Sequence, residues 1–218
     1  EEEAEYANRG GFSKHHPALP LYTEEDAMRC LRQLRTVDFN EDFAIGPGLQ
    51  GRFTPAGHIL GAACVTVTGT AGKLVFSGDL GRPHDGIMNP PAPLSDADYI
   101  VVESTYGDRT HPSVDALDEL AQIILRTINR GGCVIVPAFA VGRTQALLHF
   151  IHQLKAQGRI PPQLPVYLNS PMATDVTTLY ERFAGELRLP KSECAAMCRA
   201  ATFVTSVEQS KRLNAMHN

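Results

Sequence analysis

Asp98-Tyr99-Ile100-Val101-Val102-Glu103-Ser104-Thr105-Tyr106-Gly107-Asp108-Arg109 divides this chain into two kinds of sequence. Tyr99–Val102 is continuously apolar, which predicts a strand buried on both faces. Glu103 closes it, at the carboxyl edge where α/β sheets place their sites. A carboxylate ending such a run needs a partner or a function. Arg109 or a histidine would supply the partner; a place in a cleft would supply the function.

Upstream the pattern is β-rich. Val37, Phe39, Phe43 and Ile45 alternate with mostly polar neighbours, and Leu49, Gly51 and Phe53 continue the period of two. Val65 and Val67 alternate with threonines, and 69–72 reads as a hairpin turn into Lys73–Ser77. This predicts stacked antiparallel strands in a sandwich. Ahead of them, Glu1–Asn8 is helix-compatible and Gly10–Pro20 is a loop. Thr23 then caps a helix whose apolar stripe is Ala27, Leu31 and Leu34. Downstream, strands at Cys133–Pro137, Val166–Leu168 and Thr202–Thr205 alternate with helices. The helices run from Ser113 to Arg130, Arg143 to Gln157 and Ser170 to about Phe183, and a last one opens at Ser206 with Gln209 as capping box. That order predicts a parallel, doubly wound section. The change of pattern falls at about residue 108. Gly86–Pro93, with Pro90, Pro91 and Pro93, is the most loop-like stretch.

Composition narrows the class. The 218 residues are 43% apolar and 20% charged, which excludes a disordered or collagen-like chain. No apolar run approaches the ~18 residues of a bilayer span, so no membrane partner is expected. The acidic start, Glu1-Glu2-Glu3, is unlike a signal peptide. The five cysteines are scattered and form no CxxC pair, which fits reduced thiols in a cytoplasmic protein. Cys194 and Cys198, four apart, could share a helix face, but a metal there needs further ligands. The net charge of −4 does not favour broad nucleic-acid binding, yet leaves room for a local basic groove.

Several segments carry chemistry-bearing residues. His58 lies between glycines at a strand end, where it can reach a cleft; alone it reads equally as a hydrogen-bonded structural histidine. Asp79 follows an apolar strand, also between glycines, as either a turn residue or a catalytic carboxylate. Arg143 opens a helix after a strand and turn, and free amides at such a start suit a phosphate. Ser170 opens the next helix in a similar way, by capping or by lining a cleft. His15, His16, His84, His111, His149 and His152 lack ligand partners at a recognisable spacing, although His149 and His152, three apart on a helix, could share a metal. Neither the P-loop nor the dinucleotide glycine motif occurs, so no nucleotide cofactor is expected.

In order, PAGHILGA (55–62), FSGDLGR (76–82), VVESTYGDR (101–109), PAFAVGRTQ (137–145) and NSPMA (169–173) resemble the β-CASP nucleases of the metallo-β-lactamase fold. The ESTYGDR form is similar to the RNA-processing branch, that of the cleavage and polyadenylation endonuclease and its prokaryotic relatives. The resemblance implies an α/β chain. Part of a metallo-β-lactamase αββα sandwich, residues 1–108, would be followed by the first half of a parallel-sheet, Rossmann-like β-CASP domain, residues 109–218. It implies RNA as partner and zinc as cofactor, with phosphodiester hydrolysis internally, from the 5′ end, or both. Carried over by position, His58 matches a zinc-ligand histidine and Asp79 the carboxylate that bridges two zinc ions. Glu103 matches an acid that orients a later catalytic histidine. Arg143 matches a segment facing the RNA backbone, and Ser170 a loop near the cleft.

The departures matter as much. No HxHxDH motif is present, and the later histidines of the family have no counterpart; His217 lacks a matching context. The chain starts with Glu and ends within a helical pattern, as expected of an internal section of a longer nuclease. Two ligands cannot hold two zinc ions, so the section alone is expected to be inactive and largely metal-free. A lone half-sandwich is expected to expose apolar faces and to form homodimers. Two other readings stand beside this one: a small-ester or thioester metallohydrolase of the same scaffold, and a non-catalytic RNA-binding subunit.

Overall fold

A computed structural model describes residues 1–94, 96–110 and 113–216. His111 and His217 lie outside the described residues. The chain divides into two compact units, 1–38 and 39–218.

The first unit holds α1 (Glu2–Gly10) and α2 (Glu24–Leu31). Thr23 caps α2 as its sequence implies: its hydroxyl accepts from the Asp26 amide, and the Asp26 carboxylate accepts from the Thr23 amide. The expected apolar stripe is not a buried one. Helix α2 ends at Leu31, so Leu34 lies beyond it, and neither helix contains a buried residue.

The second unit begins with a five-stranded sheet. Its strands are β1 (Asp42–Gly46), β2 (Leu49–Pro55), β3 (Ala63–Gly69), β4 (Gly72–Phe76) and β5 (Tyr99–Val101), in that spatial order. Strands β1 to β4 pair antiparallel, and β5 joins β4 in parallel. The alternation seen in the sequence sets the faces. Phe53 opposes Val65 and Val67 opposes Leu74 on one face; Arg52 opposes Asp42 and Thr66 on the other. Arg52 and Asp42 make a two-pronged ion pair of 2.7 and 2.9 Å. The Phe43 and Phe53 rings pack 5.0 Å apart. Thr70-Ala71 turns β3 into β4, where the glycine-flanked hairpin was expected.

Two expected strands differ. Strand β5 exists but is not buried: Tyr99, Ile100, Val101 and Val102 are all more than half exposed. It is the sheet's last strand, so no neighbour covers its outer edge. Cys133–Pro137 forms no strand, and Ile135 is 82% exposed. An apolar run becomes a strand only beside another strand that takes up its amides and carbonyls, and among the described residues no strand pairs with this one. Val37 and Phe39 also precede β1, separated from it by Asn40 in the left-handed region.

The rest of the unit is helical around a short parallel pair. Helix α3 (Ala116–Ile128) is capped by Asp115 rather than Ser113. It buries Ala121 and Ile124 against Leu154 and Ile160, residues of and just beyond α4 (Arg143–Ala156). Strand β6 (Tyr167–Leu168) pairs in parallel with β7 (Thr202–Phe203). Between them lie α5 (Pro171–Arg182) and α6 (Lys191–Cys198). Helix α7 (Val207–Ala215) follows, capped by Ser206; Gln209 reaches back to the Thr205 amide instead of closing the capping box on Ser206.

The larger core draws on both sections. Leu148 of α4, Tyr180 of α5 and Met197 of α6 pack with Ile87 and Met88, which belong to the most loop-like stretch of the sequence. Asp85 folds that stretch by accepting from the amides of Ile87 and Met88, at 2.8 and 2.7 Å. All five cysteines are free thiols. Cys194 and Cys198 are buried on α6 and donate to the carbonyls of Tyr180 and Thr177, and burial pushes the Cys198 thiol up to about 12. They are core residues whose thiols burial keeps protonated. No helix among the described residues is long and apolar enough to cross a membrane.

His149 is buried on α4, and burial lowers its pKa below the ordinary histidine value; Asp85 and Glu193 oppose that shift, and His152 adds to it. A histidine kept neutral by folding takes up its proton more readily in the unfolded chain. Its contribution to stability is therefore present above the unfolded value, ~6.5, and is lost as pH falls through it. His149→Gln should flatten the fall of the urea midpoint between pH 7 and pH 5, read by circular dichroism at stepped pH.

Candidate active site

The sheet's connectivity brings three motifs to one edge. Strands β2 and β4 both pair antiparallel to β3, so they run the same way, and β5 runs with β4. The segments leaving the ends of β2, β4 and β5 therefore emerge together. They carry His58, Asp79 and Glu103.

Residues 56–62 form a closed loop between β2 and β3. The Ala56 amide donates to Ala62 O at 2.9 Å, and the Ala62 amide donates to Ile59 O at 3.0 Å. The loop presents His58 outward, with Nε2 4.0 Å from Asp79 Oδ2 and both side chains open to solvent. The loop after β4 comes against it closely. The Gly81 amide donates to Ala56 O at 2.8 Å, and a Cβ on Gly81 would land on the Gly57 carbonyl. Gly57 itself has φ +67°, and a Cβ there would lie 2.5 Å from Asn89 O. Two backbones meet where only glycine fits.

Glu103 is fastened rather than free. Its Oε1 accepts from the Leu80 amide at 2.8 Å, and its Oε2 accepts from the Thr105 hydroxyl at 2.6 Å. Thr105 first and the Leu80 amide second hold the carboxyl below its ordinary range; burial opposes them, and His58 adds a smaller lowering. The sequence offered Arg109 as a structural partner for Glu103. Arg109 instead pairs with its neighbour Asp108, at 2.9 and 3.1 Å. Behind Glu103, Ser77 is buried and ties the two parallel strands. Its amide donates to Val101 O, and its hydroxyl accepts from the Glu103 amide at 3.0 Å. The sequence reading passed over Ser77 and Thr105. The signal was available in both cases: a hydroxyl directly before Gly-Asp, and another directly after Glu-Ser.

The start of α4 borders this edge. Gly142, at φ +75°, would place a Cβ 3.0 Å from Ile59 Cγ2. Arg143 is exposed and makes no side-chain hydrogen bond or ion pair among the described residues. The free amides expected beside it are largely spent. The Arg143 amide donates to Val141 O, and the Thr144 amide and hydroxyl both donate to Phe139 O. What faces solvent at this turn is the guanidinium rather than a ring of N–H groups. Ser170 is elsewhere in role: its hydroxyl accepts from the Ala173 amide at 3.2 Å as the cap of α5, and its hydrogen bonds stay within that helix. No group of three or more His, Cys, Asp or Glu side chains suited to one metal ion occurs among the described residues.

Comparison with known proteins agrees with the motif order. Residues 144–218 match the Beta-Casp domain family. Over 164 residues, 75% of this chain, the sequence is 37% identical to Ribonuclease TTHA0252 of Thermus thermophilus, covering 37% of that protein. It is 32% identical over 166 residues to Endoribonuclease YSH1 of Mycosarcoma maydis, covering 19% of it. It is 28% identical over 165 residues to Cleavage and polyadenylation specificity factor 73 of Drosophila melanogaster, covering 24%. The chain thus spans well under half the length of each of these relatives. The resemblance to β-CASP RNA nucleases, read from five short motifs, is borne out.

The close approach of the two glycine loops can be tested. Gly81→Ala should destabilise the second unit by about 1–3 kcal/mol through overpacking against the Gly57 backbone. Gly185→Ala, where nothing lies within 4 Å of the added carbon, should be nearly neutral in the same thermal melts.

Proposed function

We propose that, as its resemblance to the β-CASP RNA nucleases suggests, the protein carrying this sequence hydrolyses RNA phosphodiester bonds at a zinc-dependent site. One observation carries the reading: His58, Asp79 and Glu103, far apart in sequence, leave three co-directional strands at a single sheet edge. The named endoribonuclease relatives favour internal cleavage.

The residues fit zinc in part. An imidazole nitrogen and a carboxylate oxygen 4.0 Å apart and open to solvent are a donor pair that zinc accepts. They are two donors where zinc takes about four. The chemistry zinc supplies when bound is Lewis-acid charge at a phosphoryl oxygen and acidification of water. The chain's own residues do the positioning. His58 and Asp79 would hold the metal. Glu103, kept ionised by Thr105 and Leu80, presents a fixed negative charge that can orient a histidine or a water. Arg143, exposed beside the His58 loop, offers a guanidinium to an RNA phosphate. Ser170 lines the same cleft in this proposal only through its place at the start of α5.

The domain reading belongs here too. Residues 109–218 are proposed as the first half of a β-CASP domain, preceded by part of a metallo-β-lactamase-like domain. In support, α3 packs against α4, so the helix before residue 144 shares a core with the matched segment.

Asp79→Asn in the protein that carries this sequence should lower zinc-dependent RNA cleavage by about 100-fold or more, and a chelator should abolish it. Undiminished cleavage by Asp79→Asn would overturn the assignment. The 218 residues alone should leave RNA intact, since no three metal donors gather among the described residues. Arg143→Ala should weaken RNA binding for all sequences alike. It should also lessen the slope of log K against log salt by about 1, in filter-binding measurements over a salt series.

A further inference from the structure

We propose that Arg188, which lies in none of the motifs, is a positioning residue for the His58–Asp79 pair. The inference rests on the metal-site reading above and adds to it a residue in the α/β section.

The segment 81–92 is a strap that begins two residues after Asp79. Its first end is fixed by the Gly81 amide on Ala56 O, at 2.8 Å. Its last end is fixed by the Ala92 amide on Pro55 O, at 2.9 Å, and by Asn89 to Pro91 lying against Gly57. The first anchor is therefore on the loop that carries His58, and the second is on the last residue of β2, where that loop begins, and on Gly57. The middle of the strap is held from elsewhere. The Arg188 guanidinium donates through Nη1 to Asp85 O at 2.8 Å and through Nη2 to Pro83 O at 3.2 Å. The Arg188 amide donates to Ile87 O at 2.8 Å, Met88 and Leu187 form an antiparallel bridge, and Asn89 Nδ2 donates to Glu186 O at 2.9 Å. Leu187 and Leu189, on either side of Arg188, are buried in the core that takes Ile87 and Met88.

A forked, permanently charged donor suits this task. It spans two carbonyls two residues apart with a rigid geometry that a lysine cannot match. Arg188 is itself exposed, so its bonds compete with water. Its effect is on the local order of the strap rather than on the whole fold. Because the strap is tied at one end to the His58 loop and at the other to the end of β2 and to Gly57, and starts beside Asp79, loosening its middle loosens the separation of the two donors.

The test compares Arg188→Ala and Arg188→Lys with the native 218-residue chain. Amide hydrogen exchange is followed by NMR at Gly81 and Ala92, with the amides of β2 and β3 as reference. The His58 ring resonance is followed while Zn²⁺ alone is added. In Arg188→Ala, Gly81 and Ala92 should exchange about tenfold faster or more while the β2 and β3 amides keep their protection. The Zn²⁺ concentration that shifts His58 should rise by about tenfold or more, with Arg188→Lys between Ala and native. Unchanged exchange at Gly81 and Ala92, exchange that rises equally in β2 and β3, or an unchanged zinc response overturns the proposal. Should Arg188→Ala fail to fold, Arg188→Lys and Asn89→Ala are read by the same criteria. If zinc leaves His58 of the native chain unmoved, as two donors without further ligands allow, the exchange data alone decide whether Arg188 holds the strap, and the metal reading is tested by Asp79→Asn in the protein that carries this sequence.

Discussion

Gly57 and Gly81 touch backbone to backbone, with no room for a β-carbon on either side. That contact brings the loop after β2 against the loop after β4. It is the reason His58 and Asp79 stand within reach of one another although 21 positions separate them. Everything else at the edge is arranged around it. Glu103 locks onto the Leu80 amide, immediately beside the contact, and Ile59 carries the start of α4 up to the same loop. The proline-rich strap then closes over Gly57 from the other side. A side chain at Gly81 would force the two motif loops apart, and one at Gly57 would push the 89–91 segment away.

The electrostatics follow from the same packing. The carboxylate of Glu103 is fixed by a hydroxyl and an amide, so it stays charged without an arginine partner. Asp79 and His58 make only a long pairing with each other and remain open to solvent. Arg143 adds an exposed positive charge next to this edge, and the turn that presents it is stiffened because its amides are bonded inward.

Much was legible from residues alone. The period-two alternation located β2, β3 and β4, because each has one apolar and one polar face. Thr23, Ser170 and Ser206 marked helix starts, because capping is a local hydrogen bond between residues three apart. The errors came where an element needs a distant partner. Tyr99–Val102 and Cys133–Pro137 are equally apolar, and apolarity says only that burial would be favourable. One run found β4 and became an edge strand; the other joins no strand among the described residues and stays irregular. Ile87 and Met88 were hidden in a loop by their prolines and glycine. Their burial depends on Arg188 and Leu187, about 100 residues away in the chain.

The site shows the same division. The sequence by itself determined the identity and order of the chemistry-bearing residues, their glycine neighbours and their positions at strand ends. It also determined the resemblance to β-CASP nucleases, since motif order is a property of the chain. Only the tertiary structure decided that β2, β4 and β5 run in the same direction and so gather His58, Asp79 and Glu103. It alone gave Glu103 to Thr105 and Leu80 instead of Arg109, spent the amides of the Arg143 turn, and kept Ser170 to its own helix. The reason is physical. Capping and alternation are settled between near neighbours, whereas strand direction, backbone close approach and the competition for a carboxylate are settled by which distant segments pack together.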